Sequence, residues 1–554
     1  MTGAELAWKI FRDLGISKVF GVPGGAILPL VDAMVAHQDT LELIVTRHES
    51  AAIHAADGYA RVTGKPALAL ATSGPGGTNV ITGLATAMTD SVPVVLILGQ
   101  VPTTLIGTDA FQEADLFAMT MSVVKHSWRV TETDEIALIL QEAYRVAAQG
   151  RPGPVVVEFP KNIQLAEVAT GVETVIDPEV RPAWVPGALA WARARAYLAR
   201  AERPVLYIGG GVASSGTAAQ IRTLAERFDC PVTTTLLGLG GFPSSHPLSL
   251  GMLGMHGTWC ANHAMQEADL IIACGVRFDD RVTGKLDEFA PRARIIHIEV
   301  DHAEINKLVR PDVVMHGDLT DVLPKLTRIV PIRKHAAWRQ TIDQWKVEHP
   351  LRVPLAPAGT IATADALHVL RDTIDAEDVI VTEVGQHQMW AALCIPRDQP
   401  RRFLTSGGAG TMGYGFPAAM GAKMALPHRR VVLVAGDGSF QMNLQELATL
   451  AQYRIGVVLL VLNNQGHGMV RQWQDLFHGH RRYGVRLINP DFVKLADAFG
   501  IQGFSVNTVD GLREALAVTH AVDRPVLIEV AVPEDEHVYP MVPAGHSLST
   551  VLEG

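Results

Sequence analysis

Residues 431–450 read VVLVAGDGSFQMNLQELATL, and residues 457–470 read VVLLVLNNQGHGMV. The first stretch is a β-branched strand, a glycine turn and a helix; the second is a strand that ends in paired asparagines. Asp437 therefore falls at the C-terminal end of a strand and beside a helix start, where exposed backbone N–H groups and the helix dipole attract anions. Asp437 and the side-chain carbonyl of Asn464 are hard oxygen donors at the ends of two strands. Such a pair suits a Mg²⁺ that bridges a diphosphate. GDG on its own marks a tight turn; strand, GDG and NN at this separation are far more specific.

Working outward, short β-branched runs alternate with helix-like segments in three stretches, the pattern of parallel sheets covered by helices. In residues 1–165 the strand candidates are KVFGV, LELIV, ALALAT, VPVVLILG and PVVVEF. In 185–330 they are PVLYIGG, PVTTT, LIIACG and RIIHIEV, and in 360–545 DVIVTE and PVLIEVAV join the two runs quoted above. Two Pro-rich or polar connections mark the boundaries, IDPEVRPAWVP at 176–186 and VEHPLRVPLAPAG at 347–359. A chain of 554 residues exceeds what one hydrophobic core serves. The expected fold is α/β, with three domains that are each a doubly wound parallel sheet.

Hydrophobic residues make up 48% of the chain and charged residues 19%, ample apolar material for sizeable cores. The formal charge of -10 argues against a nucleic-acid or anionic-membrane surface, which would show clustered Lys and Arg. The short run HGHRR near His480 is the local exception and reads as a solvated loop. Cys230, Cys260, Cys274 and Cys394 lack CxxC spacing and sit among apolar or small residues, as expected of reduced core cysteines in a cytoplasmic protein. MTGAELAWKIFRDLG places Leu6, Ile10 and Leu14 on one helical stripe, so the N-terminus is expected to belong to the fold rather than to a targeting segment. No apolar run approaches the ~20 residues of a membrane span.

Three further constellations carry chemistry. In LIVTRHESAAIHAADGYARVTGK (43–65) Glu49 opens a helix rich in small residues, Ala51, Ala52, Ala55, Ala56 and Gly58, which would let another backbone approach closely. Taken alone, Glu49 is a helix-start carboxylate stabilised by the dipole. LTSGGAGTMGYGFPAA (404–419) and TEVGQHQMW (382–390) form the next set, in which Met412 alone would be a core gap-filler. On the helix after the asparagine pair, Met469, Trp473 and Phe477 recur at i, i+4 and i+8 with Val470 beside them, ordinarily a core stripe.

Together these segments resemble thiamine-diphosphate enzymes. GVPGGAILPL, IGTDAFQEAD, GRPGPVVVEFPKNIQ, GMLGMHGT, GVRFDDRVTGK, GQHQMWAA and GMVRQWQDLF extend the resemblance over nearly the whole chain, specifically to biosynthetic acetolactate synthases, in that family's order and roughly its spacing. The resemblance implies pyrimidine-binding, central FAD-binding and diphosphate-binding domains in that order. It makes Glu49 the carboxylate that hydrogen-bonds the aminopyrimidine; this chemistry favours an apolar setting, where burial raises a carboxylate's pKa. Asp437, Asn464 and the Gly466 carbonyl would hold Mg²⁺. Val384, Gly385, Gln386, His387, Gly410, Met412, Gly438, Ser439, His467, Gly468 and Met469 would surround the cofactor, with Met412 propping its bent shape.

The same resemblance assigns Arg151, Gly209, Gly210, Gly211, Thr234, Leu236, Leu253, Gly254, Met255, His256, Gly275, Arg277, Asp279, Arg281, Val282, Glu299, Val300 and Asp318 to FAD. Physically, GGG after a strand permits close backbone approach to a pyrophosphate, and Arg277 and Arg281 would neutralise it. Without its flanks, RFDDR would read as a surface ion-pair cluster. Gly25, Phe111, Gln112, Lys161, Met469, Val470 and Trp473 would line the substrate channel, with Gln112 and Lys161 joining Glu49 as catalytic residues. The loop HGHRRYGVRL departs from the family's version, which bears on loop closure.

The implied activity decarboxylates pyruvate and transfers its hydroxyethyl unit to a second pyruvate or to 2-ketobutyrate, opening valine, leucine and isoleucine biosynthesis. A homodimer or homotetramer with sites shared between chains is implied, as is a small regulatory subunit. The rival enzyme reading is an FAD-dependent pyruvate oxidase. Glyoxylate carboligases lack the glutamate found here at Glu49, and intact Glu49, Asp437 and Asn464 argue against a catalytically dead subunit.

Overall fold

A computed structural model describes residues 1–168, 184–520 and 523–554. It contains three six-stranded sheets, every one of them parallel throughout. The first holds β1 (Lys18–Gly21), β2 (Glu42–Val45), β3 (Ala67–Ala71), β4 (Val94–Gln100), β5 (His126–Arg129) and β6 (Val155–Pro160), in spatial order β2-β1-β3-β4-β6-β5. The middle sheet holds β7 (Pro204–Ile208), β8 (Val232–Thr234), β9 (Ser249–Met252), β10 (Leu270–Cys274), β11 (Arg294–Glu299) and β12 (Val313–His316), in the order β12-β11-β10-β7-β8-β9. The last holds β13 (Val379–Thr382), β14 (Phe403–Leu404), β15 (Val431–Gly436), β16 (Val457–Asn463), β17 (Gln502–Val506) and β18 (Val526–Ala531), in the order β14-β13-β15-β16-β18-β17.

Each sheet is buried on both faces because alternate side chains of a strand feed opposite cores. In β4, Val95 and Ile97 join one cluster while Val94, Leu96 and Leu98 join the other. The α/β class and the doubly wound parallel sheets stand as expected. Five strands escaped the sequence pattern: β5, β9, β12, β14 and β17. Each is an edge strand, short or only part-buried, so its sequence lacks the continuous apolar run that marks a strand covered on both faces.

The first and third sheets share one strand order, and their units meet through two helices. Glu49–Thr63 crosses Gly415–Ala425 so closely that a side chain on Gly58 would collide with the Ala418 carbonyl, and one on Gly421 with the Ala55 carbonyl. The small-residue face of the first helix thus meets a backbone of its own chain. The middle unit continues past residue 330: helix Ala336–Glu348 packs on it, with Trp338 Nε1 donating to the Pro204 carbonyl (3.1 Å). Most of the expected connection at 176–186 lies outside the described residues; in the second, 347–359, no helix or strand follows Glu348. Beyond β18 the chain returns to the middle unit, where Val542 N donates to Met255 O (2.7 Å). The N-terminal helix Gly3–Asp13 starts at a Thr2–Glu5 capping box and buries Leu6 and Ile10. All four cysteines are buried and unpaired.

Candidate active site

A cavity of about 1270 Å³ opens at the C-terminal ends of β7 and β10, where the middle sheet's strand order reverses. Loops diverge at such a reversal and leave a crevice for a ligand. The residues expected around FAD line this cavity, except Thr234 and Gly254. Gly254 sits behind the wall with φ of 97°, its amide donating to Asn262 Oδ1 (2.7 Å). Two of the three glycines after β7 answer to the chain itself: a side chain on Gly209 would strike the Gly275 carbonyl, and a Cβ on Gly211 would lie 2.7 Å from Gly275 Cα.

Arg151 reaches from the first unit into this crevice, donating to Ser91 Oγ (2.8 Å), Glu304 (2.8 Å) and Asp301 (3.1 Å). Glu299, at the end of β11, accepts from the amides of Val300 (2.9 Å) and Asp301 (3.0 Å), while burial pushes its carboxyl up to about 7. RFDDR is not a closed surface ion-pair cluster: Arg281 lies 3.9 Å from Asp280 but stacks over the Trp473 ring at 5.8 Å.

The second locus is the strand-order reversal of the third sheet, between β13 and β15, and it borders the same cavity through Val384, Gly385 and Gly410. Asp437 is buried there. Its Oδ2 accepts from Asn489 Nδ2 (2.7 Å), whereas its Oδ1 is buried with no partner. Burial pushes this carboxyl above the usual range, opposed by the Asn489 hydrogen bond. Asn464 turns its amide nitrogen to Gln386 Oε1 (3.3 Å), and the Gly466 carbonyl accepts from Gly468 N (3.0 Å). His387 packs beneath Gly436, its Nε2 buried without a partner and its pKa pushed down to about 3 by burial. Gly438 lies against the His467 ring, and Ser439 donates back to Gly436 O (3.2 Å).

Met412 stands between Gly410 and Gly413, both with left-handed φ (64° and 89°). Glu383 fixes this turn by accepting from Gly413 N (2.8 Å) and Phe416 N (2.9 Å), and Asn443 donates to Gly413 O (2.6 Å). Burial raises the Glu383 carboxyl to about 7. On the helix Gly468–Phe477, Met469 and Trp473 face the cavity, whereas Val470 is half exposed and outside its lining.

Glu49 belongs to a third locus, the reversal between β1 and β3. It is half-buried, accepts from Asn79 Nδ2 (2.9 Å) and lies close to Gly76, so one chain alone does not give it the apolar enclosure expected. Gln112, with φ of 60°, lies against Gly74 at the same edge, beside an almost fully exposed Phe111. Gly25 adjoins Gly24, which packs on Thr72; Lys161 stands two strands away, at the end of β6. Among the described residues no hydrogen bond joins Glu49 to the Asp437 set.

The structure adds participants that the sequence pattern did not disclose. Thr89, Asp90 and Ser91 of the first unit and Gln388, Met389, Ser406, Gly407, Gly408 and Ala409 of the third also line the cavity. Asp90 accepts from Gly407 N (3.1 Å) and Gly408 N (2.7 Å) and pairs with Arg61 (2.8 Å). Arg61 also pairs with Asp57 (2.6 Å), to which Tyr414 donates (2.8 Å). For Glu383, the one available signal was a carboxylate ending an apolar strand; Asn443 and Asn489 offered none.

Comparison with known proteins adds to this geometry. Three models described as thiamine pyrophosphate enzyme domains match: the N-terminal TPP binding domain over residues 1–119, the central domain over 191–326 and the C-terminal TPP binding domain over 383–530. An acetolactate synthase large subunit of Parasynechococcus marenigrum is 46% identical over 99% of this chain and 90% of its own length. The acetolactate synthase isozyme 2 large subunit of Escherichia coli is 46% identical over the whole of both chains. A probable acetolactate synthase large subunit of Methanocaldococcus jannaschii is 43% identical over all of this chain and 95% of its own.

Proposed function

The chain belongs to the acetolactate synthase large-subunit family of thiamine pyrophosphate enzymes, and from that premise we propose that it decarboxylates pyruvate and joins the resulting two-carbon unit to a second keto acid. With pyruvate as acceptor the product is 2-acetolactate; with 2-ketobutyrate it is 2-aceto-2-hydroxybutyrate. This is the step that opens valine, leucine and isoleucine biosynthesis. The observation that carries the reading is the buried, unpartnered Oδ1 of Asp437, beside Asn464, at the crevice where the third sheet's strand order reverses.

Thiamine diphosphate, when bound, supplies an acidic thiazolium carbon and an electron sink for loss of CO₂. The chain's own residues do the rest. Asp437, Asn464 and the Gly466 carbonyl, as hard oxygen donors, would hold Mg²⁺. Glu49 would exchange a proton with the aminopyrimidine. Met412, held by Glu383 and Asn443 through Gly413, would press on the cofactor. The cavity at β7 and β10 has the glycines and arginines to hold FAD, and Met469 and Trp473 face the same space.

Glu49 and Asp437 lie at separate loci, so a site that uses both draws on two copies, and a homodimer is the least assembly. The relatives' name, large subunit, extends the expectation of a smaller partner to this chain. No helix among the described residues is long and apolar enough to cross a membrane, and four buried unpaired cysteines fit a cytoplasmic location. The test is to incubate the pure protein with thiamine diphosphate, Mg²⁺, FAD and pyruvate and to identify the product. Acetolactate without net reduction of an electron acceptor supports the reading; acetate or acetyl phosphate with acceptor reduction overturns it in favour of the oxidase.

A further inference from the structure

The loop that follows helix Gly468–Phe477 runs back along the asparagine turn. Val485 O accepts from His467 N (2.8 Å) and Leu487 N donates to Gln465 O (2.9 Å), which delivers Asn489 to the crevice. There the side-chain amide of Asn489 is fully engaged. Its nitrogen donates to Asp437 Oδ2 (2.7 Å) and Asn463 Oδ1 (2.9 Å), and its oxygen accepts from Gln441 Nε2 (2.9 Å). Asn463 is fixed in turn, donating to Glu529 (2.7 Å) and accepting from Gln465 N (3.0 Å). A flipped Asn489 amide would set oxygen against the oxygens of Asp437 and Asn463 and nitrogen against that of Gln441, so its orientation is determined.

We propose that Asn489 is a positioning residue: its amide ties down Asp437 Oδ2 and so presents the bare Oδ1 as the single carboxylate oxygen for the divalent cation. The inference rests on Asp437 as the metal ligand proposed above. A neutral amide suits the task, because it orients the carboxylate without cancelling the charge that attracts the cation. A Lys or Arg at this position would compete with the metal. Mg²⁺ demands near-ideal octahedral geometry, so a carboxylate free to rotate or to turn bidentate binds it less well. Partners that orient a metal ligand contribute about 10- to 100-fold in metal affinity.

The experiment measures thiamine-diphosphate binding to the full-length protein by equilibrium dialysis as Mg²⁺ is varied. Asn489→Ala and the bulkier Asn489→Leu are compared with the parent and with Asp437→Asn, and thermal unfolding is followed in parallel. In the Asn489 variants the Mg²⁺ concentration for half-maximal binding should rise about 10- to 100-fold, with binding recovered at saturating Mg²⁺ and with little change in unfolding temperature. An unchanged Mg²⁺ dependence in both Asn489 variants, alongside a disrupted one in Asp437→Asn, overturns the positioning role alone. Binding lost equally at every Mg²⁺ concentration also overturns it, since that is the mark of a purely structural residue. An unchanged dependence in Asp437→Asn overturns the metal-site reading itself.

Discussion

Glu49 begins its helix one residue after His48, whose ring caps the helix by accepting from Ser50 N (3.2 Å), so the Glu49 carboxylate is not used as the cap and accepts instead from Asn79 Nδ2 (2.9 Å). If it exchanges a proton with the cofactor, Glu49→Gln should keep the fold and cofactor binding while turnover falls by the ~10² to 10⁴ of a lost acid-base group. Near-parental acetolactate formation by the purified variant would reject the role. His54, one turn along the same helix, shows a different residue-level effect. It is fully buried against Tyr414, and burial, with Arg61 nearby, lowers its pKa from 6.5 to about 3. The folded chain therefore keeps His54 neutral where the unfolded chain protonates it. Its stability contribution is whole above pH 6.5 and is lost as pH falls toward 3, at about 1.4 kcal/mol per pH unit. His54→Leu should thus gain about 2 kcal/mol on its parent between pH 6.5 and pH 5. Denaturant unfolding at the two pH values measures the difference, and identical pH slopes would contradict it.

At the scale of elements, the crossing of helices Glu49–Thr63 and Gly415–Ala425 holds the first and third units at fixed distance. Two glycines set that distance, Gly58 against the Ala418 carbonyl and Gly421 against the Ala55 carbonyl. A methyl group at either position forces the backbones apart, since packed interiors have no room to absorb it. Gly58→Ala and Gly421→Ala should each cost about 1–3 kcal/mol, read from unfolding in urea; a change within about 0.5 kcal/mol would show that the helices separate easily. The strands show how legible elements were. Every strand found from sequence was a β-branched or apolar run, most of them interior, whereas HSWR of β5 and QGFSV of β17 face solvent along one edge and carry a weaker signal. The helix stripe Met469, Trp473, Phe477 was legible by spacing, but spacing did not reveal that Val470 faces outside the cavity.

For the whole molecule, the shared strand order of the first and third sheets gives two equivalent crevices, one beside Glu49 and one beside Asp437. Among the described residues no hydrogen bond joins Glu49 to Asp437, and the proposal that each site draws on two copies leads to a complementation test. Glu49→Gln and Asp437→Ala, each inactive alone, should recover about a quarter of parental activity when co-expressed, because half of randomly formed dimers are mixed and each mixed dimer has one intact site of two. No recovery in isolated mixed dimers would mean that each site is built from a single chain. By itself the sequence determined the three-sheet α/β plan, the strands covered on both faces, and the residue types at the sheet reversals. Burial on both faces demands continuous apolar runs, and the turns at the sheet reversals and the close backbone approaches restrict residue choice within short spans. Only the tertiary structure decided the edge strands, the enclosing network of Arg61, Asp57 and Asp90, the hold of Glu383 on the Met412 turn and that of Asn489 on Asp437. Apart from Asp57 and Arg61, one turn apart on a single helix, those partners are far apart in the chain, and a hydrogen bond between them depends on where folding brings two groups, which no local pattern encodes.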